Sequence, residues 1–161
     1  MKTLFLSAAA LFMVVMTSEA NSFDKVVSNL SKTQFSQDFS HVQHAVWSHP
    51  GNFDEVIFQR QGHTMTAYYD AGSELVGTTS SKKFTDLPLK AQSKIRKEYQ
   101  DYNVVSVIRY DDNENNGTDM QLFGVTADAP DSYFVELSKG AKKEVLQVSD
   151  EGNVSFFQAL K

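Results

Sequence analysis

The sequence predicts an α+β fold: two tandem units, each a helix followed by about four antiparallel strands, with the helices packed on one face of a shared sheet. Three observations carry this. Residues 23–47 lie over residues 83–107, so that Val27, Ser31, Phe35 and Phe39 match Leu87, Ala91, Ile95 and Tyr99. Further along, Asp70-Ala71-Gly72 answers Asp150-Glu151-Gly152, and Gly62 answers Gly140, as turn signals at like points of each unit. Between such turns apolar residues alternate, as in TMTAYY (64–69) and SYFVEL (132–137).

The elements follow in order. The opening MKTLFLSAAALFMVVMTSEA carries one Lys, an apolar run from Leu4 to Met16, then Ser18-Glu19-Ala20. It reads as a secretory leader (residues 1–20) cut after Ala20, since the run is shorter than the roughly 20 residues that cross a bilayer. Residues 21–161 are expected to form a single domain, with repeat one at 21–83 and repeat two at 84–161. In the matched helices the four-residue spacing lays one stripe on a sheet. Asp24 and Asp86 are placed as N-caps, with Pro88 in the first turn of the second helix. Ala45 and Trp47, like Val105 and Val107, begin strands. Hairpins close at Gln61-Gly62, Asp70-Ala71-Gly72, Lys139-Gly140 and Glu151-Gly152, and repeat two carries an insertion between Arg109 and Ser132. Alternation turns Met65, Ala67 and Tyr69, and likewise Tyr133, Val135 and Leu137, toward the core. Two helices cannot cover both faces of such a sheet, so one face is expected to be partly open.

The chain has no Cys, so packing alone must hold the fold, and an acyl anchor on a cysteine is not expected. Its formal net charge is −5 and stays so when Lys2 and Glu19 leave with the leader. That balance speaks against nucleic acid as a partner and gives no attraction to an anionic membrane. No apolar run after residue 20 is long enough to span a bilayer.

Three stretches carry a family resemblance. They are Phe39-x5-Ala45-x-Trp47, DLPLKAQSKIRKEYQDYNVVSVIRYDDNE from Asp86 to Glu114, and YFVELSKGAKKEVLQVSDEGNVSFFQ from Tyr133 to Gln158. Together they resemble the PepSY-like, β-lactamase-inhibitor-like family of small secreted proteins from Gram-negative bacteria, over nearly all of residues 21–161. The resemblance implies one curved antiparallel sheet with helices on its convex side, and export to the periplasm or beyond. It also implies a partner: the inhibitor that names the fold grips an enzyme with its concave sheet face, and PepSY domains are thought to restrain peptidases. No inhibitory residue of that protein has a match in this chain, and its disulfides have no counterpart here.

Candidate chemistry is sparse. In RYDDNENNGTDM (109–120), Asp112, Glu114, Asn116 and Asp119 supply oxygen ligands of calcium-loop type, while Phe123 stands where a bidentate Glu is needed. A solvated loop is the competing reading, because such loops are rich in Asp, Asn and Gly. His41, His44, His49 and His63 fall close together, yet His44 and His49 point to opposite faces of a strand and read as scattered surface residues. There is no Gly-x-Ser-x-Gly elbow, no evident base for Ser22, Ser28 or Ser73, and no phosphate loop. Asp54-Glu55 and Asp111-Asp112 are adjacent carboxylates that diverge on a strand. An enzyme is not expected, and no cofactor is called for.

Aromatics are the stronger signal. In Tyr68-Tyr69, Tyr133-Phe134 and Phe156-Phe157 adjacent rings face opposite ways, so one fills the core and the other lies on the far face. Either those far-face rings meet a partner or a long loop covers them. The reading taken is an exported, non-enzymatic module that binds an unidentified protein or peptide through Trp47, Tyr68, Phe134 and Phe157, and that inhibits an envelope enzyme in one form of the idea. Under it, replacing Tyr68 or Phe134 by Ala leaves thermal stability nearly intact. The alternative is a calcium- or metal-responsive envelope protein using the acidic loop 111–119.

Overall fold

A computed structural model describes residues 27–127 and 131–160. The leader, its cleavage point and Asp24 lie outside the described residues. The first helix, α1 (Asn29–Asp38), is capped by Ser28, whose Oγ accepts a hydrogen bond from the Leu30 N–H at 3.1 Å. Four strands follow: β1 (Gln43–Ser48), β2 (Asp54–Arg60), β3 (His63–Tyr69) and β4 (Leu75–Ser81). A 3-10 turn (Phe84–Asp86) leads to α2 (Leu89–Glu98) and then β5 (Asn103–Asp112). The insertion forms a hairpin of its own, β6 (Met120–Leu122) and β7 (Val125–Ala127), before β8 (Ser132–Lys139), β9 (Lys142–Ser149) and β10 (Val154–Leu160).

Two expectations about α2 need correction. Asp86 caps the 3-10 turn rather than the helix, accepting from the Lys83 N–H at 2.8 Å. Pro88, with its ψ of 139°, occupies the N-cap position just outside the helix, and its carbonyl takes the Gln92 N–H. A fixed proline φ and a missing N–H suit that boundary.

The eight long strands form one antiparallel sheet in the order β1-β2-β3-β4-β5-β8-β9-β10. Its halves join where β4 pairs with β5, from Gly77 opposite Asp112 to Ser81 opposite Ile108. Two-residue turns fit the sheet's twist: Gln61-Gly62 closes β2–β3 and Phe123-Gly124 closes β6–β7, all four residues at positive φ.

Pairing register sorts the side chains by face. On one face, Phe35 of α1 and Phe39, the residue that ends it, pack with Val56, Phe58, Ala67 and Tyr69. On the same face, Leu87 and the α2 residues Ala91 and Ile95 pack with Val107, Val135, Leu137, Leu146 and Val148. The alternation in TMTAYY and SYFVEL thus identified the helix side. A third cluster lies on the far face, where Met120, Leu122 and Ala127 of the β6–β7 hairpin cover Val76, Tyr110, Phe134 and Val145.

Candidate functional site

The hairpin decides what the far face can present. Phe134 has no exposed surface, and its ring packs on Phe157 at 4.8 Å and Phe123 at 6.2 Å. Phe134 is therefore core, contrary to the expectation that it faces a partner, because the insertion brings three apolar side chains over it. Phe157 is half-buried under the same hairpin. Its neighbour Phe156 is 60% exposed on the edge strand, so the outward ring of that pair is the other one. Trp47 is on the helix side, edge-on to Phe35 at 5.4 Å and 6.2 Å from Tyr69. Tyr68 borders the hairpin, half-buried, with its hydroxyl 3.2 Å from Thr79 Oγ1. The four residues do not make one surface.

An uncovered area remains over β1–β3. Val46 and Ile57 are cross-strand partners, 62% and 45% exposed, with Thr66 next in the row. Beside them Glu55 pairs with Tyr68. Burial pushes the Glu55 carboxyl above its ordinary value, and burial, with Glu55 nearby, does the same to the Tyr68 phenol. This strip is apolar at its edge and half-wet at its inner end.

The helix side has a cleft of about 660 Å³ between α1 and the β4–β5 junction. Gln34, Asp38 and Phe39 form one wall; Asp111, Asp112 and Asn113 form the other; Leu75 and Thr78 lie between. Asp38 accepts hydrogen bonds from the Tyr69 hydroxyl at 2.9 Å and Gln34 Nε2 at 2.8 Å. Burial, together with that carboxylate, raises the Tyr69 phenol well beyond its ordinary value. Arg109 shares its guanidinium among Asp150, Asp111 and Asp131 and lies over the Tyr133 ring at 4.8 Å. The Asp150 and Asp111 contacts outweigh its partial burial and hold it charged.

The two Asp-x-Gly turns diverge in role. Asp150 serves Arg109, whereas Asp70 Oδ1 accepts from the N–H groups of Gly72 and Glu74. Asp70 Oδ2 receives Asn116 Nδ2 at 3.0 Å and Thr118 Oγ1 at 3.3 Å from the acidic loop. Burial works against the charged form, but these bonds together hold the Asp70 carboxyl below its usual range.

That docking consumes the calcium candidates. Asn116 gives its amide to Asp70 while its Oδ1 takes the Thr118 N–H, and Asp112 Oδ1 takes the Tyr110 hydroxyl at 2.6 Å. Glu114 and Asp119 are exposed. Among the described residues no three His, Asp or Glu side chains converge as metal ligands, and the loop is held by side-chain hydrogen bonds. The histidines stay apart too. His49 Nδ1 lies 2.5 Å from Asp54 Oδ1, and Ser31 Oγ reaches the other oxygen at 2.6 Å. Ser73 and Ser28 extend this network, which ties α1 to two turns; none of the described hydrogen bonds joins a serine to the far nitrogen of His49.

No family model matches the chain, and no curated protein sequence matches it. Solved structures do. A BLIP-like protein from Bacteroides fragilis superposes with a TM-score of 0.64 at 16% identity, covering 82% of this chain and 85% of that one. A DUF2874 family protein from Bacteroides uniformis gives 0.65 at 12%, covering 82% and 87%. A Bacteroides eggerthii protein, provisionally described as periplasmic, gives 0.68 at 12%, covering 83% and 89%. The fold is BLIP-like. At these identities the likeness shows the fold alone. Among the described residues no helix is long and apolar enough to cross a membrane.

Proposed function

We propose that this chain is an exported, non-enzymatic module that binds a protein or peptide through the uncovered part of its far sheet face, over β1–β3. The observation that carries the proposal is the exposed pair Val46 and Ile57 on adjacent strands of a face whose other half is roofed. Apolar side chains left side by side on an otherwise paired sheet are the usual makings of a contact surface. Tyr68, at the inner border of this strip, stays a contact residue; Trp47 and Phe157 would act only by supporting it. The BLIP-like fold supports a protein partner, and restraint of an envelope enzyme is one form the binding takes. The order of one helix and four strands, met twice, supports descent from a tandem duplication and a distant PepSY-like kinship.

The test is capture from a cell-envelope extract by immobilised residues 21–161, beside Ile57→Ser and Val46→Ser. Both variants should keep the wild-type melting profile and lose the captured protein. Undiminished capture by both variants refutes the assigned surface.

A further inference from the structure

A second opening on the helix side lies apart from both the far face and the acidic cleft. It is a cavity of about 400 Å³ between the C-terminal half of α2, the 3-10 turn before it and the adjoining ends of β5 and β8. Phe84, Ile95, Tyr99, Tyr102, Val104 and Leu137 give it an apolar, largely aromatic lining. Val104 and Leu137 are cross-strand partners on the sheet beneath it, and the Tyr99 and Tyr102 rings meet edge to face, 5.5 Å apart. Small-ligand sites span roughly 300–1,000 Å³ and combine such a lining with a few placed polar groups.

The polar groups are a separate observation, and all of them can donate. Arg96 lines the cavity with its guanidinium 5.3 Å over the Phe84 ring, and its one hydrogen bond is a long one, 3.4 Å to Gln92 Oε1. No carboxylate among the described residues pairs with it. The neighbouring cations are taken, Lys139 by Asp101 at 3.1 Å and Lys142 by Glu144 at 2.6 Å, which also neutralises those two acids. Glu98, the acid left nearby, is exposed and does not line the cavity. The Tyr99 hydroxyl and the Gln100 amide, both on the lining, bond to nothing among the described residues. Burial first, then the Glu144 and Glu98 charges, raise the Tyr99 phenol above its ordinary value, so it keeps the proton it would donate.

We propose that this cavity is a binding site for a carboxylate carried on a short apolar body, with the Arg96 guanidinium as its anchor. The ligand follows from the lining. A carboxylate meets a guanidinium fork with two parallel N–H···O bonds and has lone pairs left for the Tyr99 hydroxyl. The apolar body, of phenyl or branched-alkyl size, would displace water from Ile95, Val104 and Leu137. A cationic ligand would be repelled by Arg96, and a neutral one would leave the guanidinium unanswered. Two sources share this chemistry: a free apolar acid, and the last residue of a peptide that ends in an apolar side chain.

The probes are phenylbutyrate and the tripeptide acetyl-Gly-Gly-Phe, each titrated into isotope-labelled protein at physiological salt and followed by amide chemical shifts. The shifts of residues 95–104 and Leu137 should move and saturate. Whichever probe saturates names the source, and saturation by both means that the apolar end of a peptide suffices. Arg96→Gln should weaken binding by about tenfold or more, the loss of a charge-assisted pair. Val104→Trp, at a wall residue 41% exposed, fills the cavity and should abolish saturation. Lys97→Gln removes the same charge from an exposed side chain outside the lining and should change affinity by less than about twofold. Equal losses from Lys97→Gln and Arg96→Gln would reduce the effect to general attraction and overturn the site. So would equally tight binding by the amides of the two probes, shifts centred elsewhere, or no saturation by either probe. Ile57→Ser should bind the probes like wild type, so failure here and failure of the far-face reading are separate results.

Discussion

Replacing Phe134 by Ala is the sharpest consequence of the roofed half-face. The ring is fully buried, 4.8 Å from Phe157 and 6.2 Å from Phe123, in a cluster with Tyr110, Met120, Leu122 and Val145. Truncating a buried Phe costs about 3–5 kcal/mol, because lost transfer energy adds to the cavity left behind. In a domain of this size each kcal/mol lowers the melting temperature by about 2–4 °C, so a fall on the order of 10 °C is expected. Thermal melts and urea titrations by circular dichroism both read it, and the urea midpoint should fall with little change in slope. Phe123→Ala, at the half-buried hairpin tip, should cost distinctly less. A Phe134→Ala variant melting within about 2 °C of wild type would refute the reasoning, since no fully buried ring is so cheaply removed.

Other outcomes follow from single contacts. Gly77→Ala should destabilise by about 1–3 kcal/mol in urea titrations, because overpacking forces neighbours to shift; its Cβ would stand 2.7 Å from Tyr110 Cε2 and 2.8 Å from the Asp111 carbonyl oxygen. The Asp54 carboxyl is buried, which alone would raise it, yet bonds from Ser31, His49 and the Ser28 N–H leave it below its usual range. With a depressed folded pKa, its contribution is present above the unfolded value of about 4 and lost as pH falls through the folded one. Asp54→Asn should therefore lower stability at pH 7 and flatten the acid limb of the stability profile below about pH 4; an unchanged acid limb would remove Asp54 from that role. Ile57→Ser should shift stability by no more than about 1 kcal/mol, being half-exposed on a strand, and a larger fall in melting temperature would mark it as core.

Local periodicity made the helix-side core legible. Ser31, Phe35 and Phe39, and Leu87, Ala91 and Ile95, repeat at four residues, and Ala67, Tyr69, Val135 and Leu137 alternate; all are buried. Turn chemistry was legible for the same reason, since Gln61-Gly62 needs only its own backbone. The far face was not, because its cover comes from a segment distant in sequence. Met120 and Leu122 with Phe123-Gly124 did carry the marks of a small amphipathic hairpin, but nothing local says where such a hairpin docks. The Asp70 turn shows the same limit: its likeness to Asp150 is real as sequence, while their partners, Asn116 and Arg109, are set by tertiary contacts. The acidic cleft exists only because β4 pairs with β5 across the two halves.

The central claim is that the hairpin seals one half of the far face and leaves the other open. The absence of Cys allows a direct measurement: native-state thiol labelling of Val145→Cys and Ile57→Cys, each the sole cysteine in its chain. The Ile57→Cys thiol should react at close to the unfolded rate, and the Val145→Cys thiol, fully buried beneath the hairpin, should be protected until the protein opens. Equal labelling rates at the two positions would contradict the account.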